Sequence, residues 1–340
     1  MSSHGTSIYE EIGVEPIINC RGTFTIIGGS IERPEVISAM ERAAGHFVQY
    51  DELAEGVGRR LAELTGAEWG MVSSGCAAGM KHVTAACVTG GDPEKLIRIP
   101  DLTGIEKTQV IVPAYSRNAY DHALRNVGIE LVTVETPEQM RAAIGPRTAM
   151  VYMVTGLHWV VGPDGRKAVH SDPNEPLSLE VMAEIASPHG IPILADAAAE
   201  NLTVPNVHLA QGADVVTYSG GKALCGPQCT GLVIGRKDLL LAAWQASAPH
   251  HGPGRDDKVG KEEMMGLLAA VELWLERDHE AEWNIWLSRL DTVAQAMRNL
   301  EGITTEVFNP TGLSNRSPTL EIRWDESVRR INGMDMAEIL

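Results

Sequence analysis

Short apolar runs alternate with helical patterns along most of the chain. Seven runs are continuous and short enough to be strands that are covered on both faces of a sheet. They span residues 69–73, 109–112, 129–134, 149–154, 191–195, 215–218 and 230–234. Helical periodicity lies between or before them, at residues 51–65, 76–89, 120–127, 137–144 and 179–187. This alternation is typical of parallel βα units and predicts an α/β fold built on a mostly parallel, seven-stranded sheet.

The pattern changes near residue 250, where the sequence PHHGPG (249–254) interrupts it. A long amphipathic helix is predicted at 261–278, then a helix at 280–300, a strand at 319–324 and a helical pattern at 334–340. The expected parts are an N-terminal segment (1–50), a large domain (51–250), and an interdomain helix with a small α+β domain (251–340). Because no strand follows the last helical pattern, we expect the small domain to be incomplete and the natural chain to continue.

Composition narrows the class of protein. The hydrophobic share of 44% is enough to bury a sizeable core, which excludes disordered and low-complexity classes. With 28 basic and 45 acidic side chains the net charge is −17, which opposes binding to nucleic acids and anionic membranes. The sequence has neither a signal peptide nor an apolar run of the ~20 residues that a membrane helix needs. The five cysteines lack zinc-ligand spacing, so we expect reduced thiols in the cytoplasm and no metal site.

One lysine stands in a glycine-rich turn between two predicted strands, in the sequence YSGGKALCGPQCTG (218–231). A partly desolvated amine at Lys222 is suited to nucleophilic Schiff-base chemistry. Ser219, three residues earlier, can place its hydroxyl near an anion beside that lysine. The alternative is an ordinary lysine in a surface turn.

Two further features lie at predicted strand ends. Asp196 ends a buried run, at the edge of the sheet where α/β proteins bind ligands, and its carboxylate can hold a proton on a pyridine nitrogen. The alternative role is a helix cap. The small residues of SSGCAAGM (73–80) let backbone N–H groups at a helix start approach a phosphate, although tight packing explains them equally well. Together with Lys222, these features predict pyridoxal 5′-phosphate as the cofactor.

The order of these motifs resembles the fold-type-I (aspartate aminotransferase-like) pyridoxal phosphate enzymes. The pattern S-G-G-K-x-L-x-G-P-Q-x-x-G is similar to the selenocysteine synthase-like group, which includes bacterial selenocysteine synthase and D-glucosaminate-6-phosphate ammonia-lyase. The resemblance runs from Ile17 to about Asp278 and includes the sequences NCRGTFT (19–25) and GRDDKVGKEE (254–263). It implies a large domain with a seven-stranded sheet and a small C-terminal domain.

The resemblance also implies roles for individual residues. Lys222 matches the Schiff-base lysine and Asp196 the partner of the pyridine nitrogen. The phosphate-binding positions are Ser74, Gly75, Cys76, Ala77 and Ser219.

Around the cofactor, Tyr115 is expected to cover one face of the ring, with His122 as the alternative. Arg255 and Lys258 match a cationic pair that holds a carboxylate or phosphate of the substrate. From the N-terminal segment, Arg21 and Thr23, together with Asn19, are expected to reach the active site of a neighbouring subunit. His158 or Trp159 can line the pocket, and core packing explains them as well.

The activity implied is that of an enzyme that forms an external aldimine with an amino acid and removes its α-proton. We expect a lyase of the β-elimination, ammonia-releasing type on a hydroxy or sugar-type amino acid, in a homodimer or larger homo-oligomer. An amino acid racemase or an aldolase begins from the same intermediate and remains open. A selenium transferase is disfavoured by the net charge of −17, since it must hold a tRNA. A non-catalytic protein that binds the cofactor is the remaining alternative.

Overall fold

The computed structural model describes residues 7–156, 158–162, 165–169 and 176–339, and only the backbone of residues 158–162 and 165–169. Its strands are β1 (Trp69–Ser73), β2 (Gln109–Pro113), β3 (Glu130–Val134), β4 (Thr148–Val154), β5 (His158–Gly162), β6 (Gly165–Val169), β7 (Ile193–Asp196), β8 (Val215–Ser219), β9 (Gly231–Gly235), β10 (Ile303–Phe308) and β11 (Thr319–Trp324).

Helices cover most of the connections between these strands. They are α1 (Pro34–Ala44), α2 (Tyr50–Thr65), α3 (Gly75–Thr89), α4 (Pro93–Leu96), α5 (His122–Arg125), α6 (Pro137–Ala143), α7 (Leu179–Ala186), α8 (Val207–Ala210), α9 (Lys237–Ala246), α10 (Lys261–Glu276), α11 (His279–Arg298), α12 (Glu326–Arg329) and α13 (Gly333–Ile339).

A seven-stranded sheet in the order β1-β9-β8-β7-β4-β2-β3 forms the centre of the molecule. Strand β9 runs antiparallel to both of its neighbours, and the other strand pairs of this sheet are parallel. All seven predicted strands are present, with ends shifted by at most two residues. The α/β fold class and the mostly parallel sheet are therefore confirmed.

Several elements differ from the prediction. The helix expected at 120–127 is a 3-10 turn, Ala119–Asp121, followed by the short helix α5. Helices α1 and α9 and strand β10 were not predicted, nor was the hairpin formed by β5 and β6. Strand β10 pairs with β11 in a separate two-stranded sheet, against which α11 packs. The division of the chain at residues 50 and 250 stays a prediction.

Helix α3 follows β1. It lies in the interior because α5, α9 and the sheet cover it. Eleven of its residues are buried, so its small side chains serve packing on all sides. Helix α10, the long helix that the sequence predicted, packs against α1 and α2. No helix in the described part of the chain is long and apolar enough to cross a membrane.

The parallel strands β1, β7 and β8 end at the same edge of the sheet, at Ser73, Asp196 and Ser219. This carboxyl edge is where ligands bind in open α/β sheets. The loop after β7 is also tied to the region near β11, since the Asn201 N–H donates to the Leu313 carbonyl (2.7 Å) and the Asn315 N–H donates to Ala199 (3.0 Å). The carboxyl edge therefore brings together three motifs predicted from the sequence: the start of α3, Asp196 and the lysine turn.

Candidate active site

Asp196 ends β7 and is only 7% exposed. The Tyr152 hydroxyl donates to its Oδ2 (3.2 Å), and the Ala198 N–H donates to its Oδ1 (3.0 Å). Burial raises the pKa of Asp196, and the Ala198 N–H, the positive charge of Lys222 and the Tyr152 hydroxyl offset that rise only in part. Glu200 adds to the rise through its negative charge. A cation placed against this carboxylate would remove the penalty of its burial.

Lys222 lies in the tight turn between β8 and β9 and is half-buried. Its carbonyl accepts a hydrogen bond from the Cys225 N–H (3.0 Å), which closes the turn. The turn requires glycine before the lysine, because a Cβ on Gly221 would lie 2.6 Å from the backbone Cα of Gln228. Ser219, three residues before the lysine, ends the strand β8 that pairs with β7, and the last residue of β7 is Asp196.

The start of α3 offers a place for the phosphate. Ser74 precedes the helix and its side chain makes no capping hydrogen bond, so the N–H groups of Gly75, Cys76 and Ala77 lack helical acceptors. These donors, together with the positive end of the helix dipole, suit an anion. The Ser73 hydroxyl donates to the Gly75 carbonyl (2.8 Å) and holds the turn against β9.

The thiol of Cys76 points towards β8, because the Thr217 hydroxyl donates to its Sγ (3.3 Å). Burial and the negative charge of Asp196 raise the pKa of the Cys76 thiol. The side chain is therefore a neutral packing group, and only its backbone N–H is available for a phosphate. Ser219, also half-buried, stands at the carboxyl end of β8 beside the lysine turn.

The two candidates for the ring face differ in their surroundings. Tyr115 lies in the 3-10 turn after β2, is half-buried, and donates its hydroxyl proton to the Leu177 carbonyl (2.8 Å). His122 is exposed, and its Nδ1 lies 2.7 Å from the Ala119 carbonyl oxygen. This local contact is the structural role that the sequence had left open for His122, and the position of Tyr115 over the ring stays a prediction.

Arg255 and Lys258 lie on the exposed loop between α9 and α10. Neither has an ion-pair partner among the residues that the structure describes. The acidic residues between them, Asp256 and Asp257, bind Lys81 instead. In a chain with a net charge of −17, two unpaired cations on one loop are suited to bind an anion.

The N-terminal segment contacts the lysine turn of its own chain. The Ser30 N–H donates to the Gly221 carbonyl (3.0 Å), and Gln228 Nε2 donates to the Thr25 hydroxyl (3.1 Å). The Arg21 guanidinium is exposed and lies 5.0 Å from the centre of the Phe24 ring. No hydrogen bond or ion pair joins it to the carboxyl-edge residues within the described part of the chain.

Thr23 is half-buried in the same segment. Asn19 uses both side-chain atoms within its own turn: Oδ1 accepts from the Arg21 N–H (2.9 Å), and Nδ2 donates to the Gly22 carbonyl (2.9 Å). Asn19 therefore shapes the loop that carries Arg21. The side chains of His158 and Trp159 lie outside the described residues.

Sequence reasoning missed Tyr152, whose hydroxyl reaches the central carboxylate across 44 residues of chain. It is a single polar group within the apolar run of β4, and that is the only local signal. Its position depends on β4 pairing with β7, where Val154 stands opposite Asp196. The roles of Lys81, Thr217 and Gln228 were missed for the same reason, since each contacts a part of the chain that is distant in sequence.

The residues present fit pyridoxal phosphate. The buried carboxylate with a raised pKa suits a protonated ring nitrogen, the uncapped start of α3 suits the phosphate, and the half-buried lysine suits covalent attachment. These three groups converge on one edge of the sheet, as the sequence predicted. The assignment of each role stays a prediction.

Comparison with known proteins gives consistent matches. The family model "L-seryl-tRNA selenium transferase" matches residues 51–306. The chain is 32% identical to D-glucosaminate-6-phosphate ammonia lyase of Salmonella typhimurium (strain 14028s / SGSC 2262) over 88% of this chain and 78% of the relative. It is 31% identical to 5'-C-glycyluridine monooxygenase-decarboxylase of a Streptomyces species, over 88% of this chain and 73% of the relative.

Among solved structures, that of a D-glucosaminate-6-phosphate ammonia-lyase superposes with a TM-score of 0.83 at 30% identity, covering 97% of this chain and 85% of that one. This similarity confirms the predicted aspartate aminotransferase-like fold of type I. It also confirms that the protein is an enzyme and that its cofactor is pyridoxal phosphate. The chain belongs to the L-seryl-tRNA selenium transferase family of pyridoxal phosphate-dependent enzymes.

Proposed function

We propose that this protein is an ammonia-lyase that acts on a phosphorylated amino sugar acid of the D-glucosaminate-6-phosphate type. The observation that carries the proposal is the position of Asp196 and Lys222 at one edge of the sheet: Asp196 ends β7, and Lys222 lies in the turn that follows the neighbouring strand β8. The 32% identity to the Salmonella ammonia lyase supports the reaction and the substrate class. Arg255 and Lys258, which have no ion-pair partner among the described residues, support a substrate with an anionic group.

Each side chain has a distinct task in this proposal. Asp196 holds a proton on the ring nitrogen, and the bound cofactor then supplies an electron sink for the substrate Cα. Lys222 holds the cofactor covalently through Nζ and, once its amine is released by the substrate, takes the α-proton. The N–H groups that begin α3, with the hydroxyl of Ser219, bind the cofactor phosphate, and Tyr115 covers one face of the ring.

The hydroxyl at Cβ would leave as water with the proton that Lys222 took from Cα, and the released enamine would react with one water to give a 2-oxo acid and ammonia. Arg255 and Lys258 orient the substrate by its phosphate or carboxylate. A racemase or an aldolase would share the first proton removal, so only the products separate these activities.

The assembly that we propose is a homodimer or a larger homo-oligomer. Six large apolar side chains in the described N-terminal part are exposed by more than 70%: Ile8, Ile12, Ile18, Ile26, Ile31 and Phe47. A second copy of the chain would cover this surface and bring Arg21 and Thr23 to the neighbouring site. Analytical ultracentrifugation is expected to give the mass of at least two chains, and a monomer at micromolar concentration would contradict the assembly. The free thiols of the five cysteines support a cytoplasmic location.

The direct test uses purified protein loaded with pyridoxal phosphate and given D-glucosaminate-6-phosphate. Ammonia and a 2-oxo acid are expected in equal amounts. Inversion of the substrate at Cα without ammonia would indicate a racemase, and an aldehyde product would indicate an aldolase. Absence of turnover on this compound and on a panel of D- and L-hydroxy amino acids would overturn the proposal.

The covalent role of Lys222 has its own test. Borohydride reduction followed by mass spectrometry is expected to place the cofactor on Lys222, and Lys222→Ala is expected to remove the label and lower turnover by at least about 10⁴-fold. Lys237→Ala is the matched control, because that lysine lies 4.3 Å from the centre of the Trp69 ring and outside the proposed site. A label retained by Lys222→Ala would show that another amine carries the cofactor.

A further inference from the structure

Lys81 is an unusually buried lysine for a residue outside the proposed catalytic groups. It lies in α3, and its side chain is 7% exposed. Its Nζ lies 2.7 Å from Asp256 Oδ1 and 2.5 Å from Asp257 Oδ2. Burial by itself lowers the pKa of Lys81, but the two carboxylates outweigh that effect and keep its pKa above the ordinary value. The side chain is therefore a buried cation that binds two acidic groups of the loop between α9 and α10.

The next residue, His82, holds the same loop by packing. It is fully buried, and neither ring nitrogen has a hydrogen-bond partner among the described residues. Burial lowers the pKa of His82 to about 3, so the imidazole is neutral. A Cβ on Gly254 would lie 2.2 Å from His82 Nε2, which means that the loop backbone rests directly on the ring. The Gly254 N–H also donates to the Ala246 carbonyl (2.8 Å) at the end of α9.

The order of charges on this loop explains why such an anchor matters. Residues 255–258 read Arg-Asp-Asp-Lys, so each cation has a carboxylate as its neighbour in sequence. Left free, the two carboxylates would pair with the adjacent cations or repel an incoming anion. Lys81 forms ion pairs with both carboxylates, so that residues 255–258 together with Lys81 carry three positive and two negative charges, while Arg255 and Lys258 have no ion-pair partner among the described residues.

We propose that Lys81 is a positioning residue that holds Asp256 and Asp257 on α3 and so keeps Arg255 and Lys258 available for the anionic group of the substrate. This inference rests on the proposed function and deepens it, because it names what determines specificity for a phosphorylated substrate. The anchor and the proposed cofactor phosphate site share one rigid element. Lys81 follows Gly75 by six residues, which is about 9 Å along the helix axis.

The first experiment compares Lys81→Met with the wild type on the phosphorylated amino sugar acid and on its unphosphorylated counterpart. The KM for the phosphorylated compound is expected to rise about 10-fold while kcat stays within about twofold, because binding of the anion is lost and the reacting groups are intact. The KM for the unphosphorylated compound is expected to stay unchanged. Lys81→Arg, which keeps the charge, is expected to restore the wild-type KM to within about threefold.

Lys107→Met is the matched control, since the Nζ of Lys107 donates to the Thr148 carbonyl (2.9 Å) at the opposite edge of the sheet. It is expected to change neither KM. An equal rise for both substrates in Lys81→Met, or no rise for either, would overturn the positioning role. Should Lys81→Met fail to fold, Asp256→Asn removes one contact at a side chain that is 77% exposed. It is expected to raise the KM for the phosphorylated compound about threefold, and an unchanged or lowered KM would contradict the proposal.

A second measurement does not depend on turnover. Hydrogen exchange followed by mass spectrometry on the cofactor-loaded protein measures how readily the loop opens. The Gly254 and Asp257 N–H groups are protected by hydrogen bonds to the Ala246 and Gly254 carbonyls, and they exchange when these bonds break. Exchange in residues 254–258 is expected to be at least about 10-fold faster in Lys81→Met and unchanged in the strands of the sheet. Inorganic phosphate is expected to slow this exchange in the wild type and not in the variant.

The two proposals fail in different ways. A wild type that turns over neither compound would overturn the proposed substrate, and the exchange measurement with phosphate would still decide the role of Lys81. Equal exchange in the wild type and the variant, with an active wild type, would overturn the role of Lys81 alone.

Discussion

Two buried carboxylates of the large sheet region differ in the groups that surround them and in the direction in which their pKa values shift. Asp121 is 3% exposed and accepts hydrogen bonds from Arg117 Nε (2.7 Å) and Arg125 Nε (3.0 Å). Burial alone would raise its pKa, but the two guanidinium groups outweigh burial and lower it below the ordinary value. Asp196 is 7% exposed, its carboxylate accepts from the Tyr152 hydroxyl and the Ala198 N–H among the described residues, and burial raises its pKa.

The difference separates a structural charge from a functional one. Two arginines of the same chain neutralise the charge of Asp121, so its carboxylate does not attract a cationic ligand. Asp196 keeps an attraction for a cation that its own chain does not satisfy, which destabilises the cofactor-free fold but favours a protonated pyridine nitrogen. A buried carboxylate whose pKa stays raised indicates a binding site, whereas a buried carboxylate that is paired with two arginines indicates a structural contact.

The largest expected effect that tests this contrast comes from Asp196→Asn. Turnover is expected to fall about 1,000-fold, since an amide does not hold a proton on the ring nitrogen. Steady-state kinetics on the cofactor-saturated variant measures this loss. Turnover within about threefold of the wild type would contradict the assigned role.

The same variant is expected to be more stable than the wild type without cofactor at neutral pH. The raised folded pKa means that the folded chain binds this proton more tightly than the unfolded chain does. The stability of the wild type therefore falls as pH rises from the ordinary carboxyl value of about 3.9 through the raised value. Urea unfolding of cofactor-free protein above that range is expected to show a higher midpoint for Asp196→Asn. A lower midpoint would indicate that the protein itself compensates the negative charge of Asp196 when the cofactor is absent.

Asp121→Asn is expected to behave in the opposite way. It is expected to lower the free energy of unfolding by about 2 kcal/mol at pH 7, because both arginines lose a charged acceptor and they are themselves partly exposed. Turnover is expected to stay within about twofold.

The pH dependence sharpens this result. The folded pKa of Asp121 is lowered, so its stabilising contribution is present above the ordinary carboxyl value and is lost as pH falls through the lowered one. The difference in the free energy of unfolding between the wild type and Asp121→Asn, measured with urea, is therefore expected to disappear in acid. A gap that widens in acid would mean that the arginines do not stabilise the charged form.

The smallest expected effect is that of Tyr152→Phe. The ring still fills the interior, and only the hydroxyl that donates to Asp196 is lost. We expect turnover to fall about 10-fold and the pKa of Asp196 to rise further, since one donor to its charged form is gone. Kinetics across pH and cofactor titration measure both changes. A loss as large as that of Asp196→Asn would show that Tyr152 itself takes part in the reaction.

The fold was predictable where the pattern was strong. The strands of the central sheet are apolar on both faces, so their continuous runs are visible without an alignment. Strand β10 was missed because its sequence, ITTEVF, alternates over only six residues and packs against a single helix. Helix α9 was missed because its sequence, KDLLLAAWQA, is buried on one face and follows a strand after a single residue.

The sequence by itself determined the strands, the glycine-rich lysine turn, the carboxylate at a strand end and the small residues at a helix start. These depend on neighbours within a few residues, where propensity and spacing carry the information. Only the tertiary structure decided that Tyr152 meets Asp196 and that Lys81 binds Asp256, contacts that span 44 and 175 residues of chain. Local patterning specifies which residues form a strand or a helix, but not which strand becomes the neighbour of another or which loop folds back onto a buried helix.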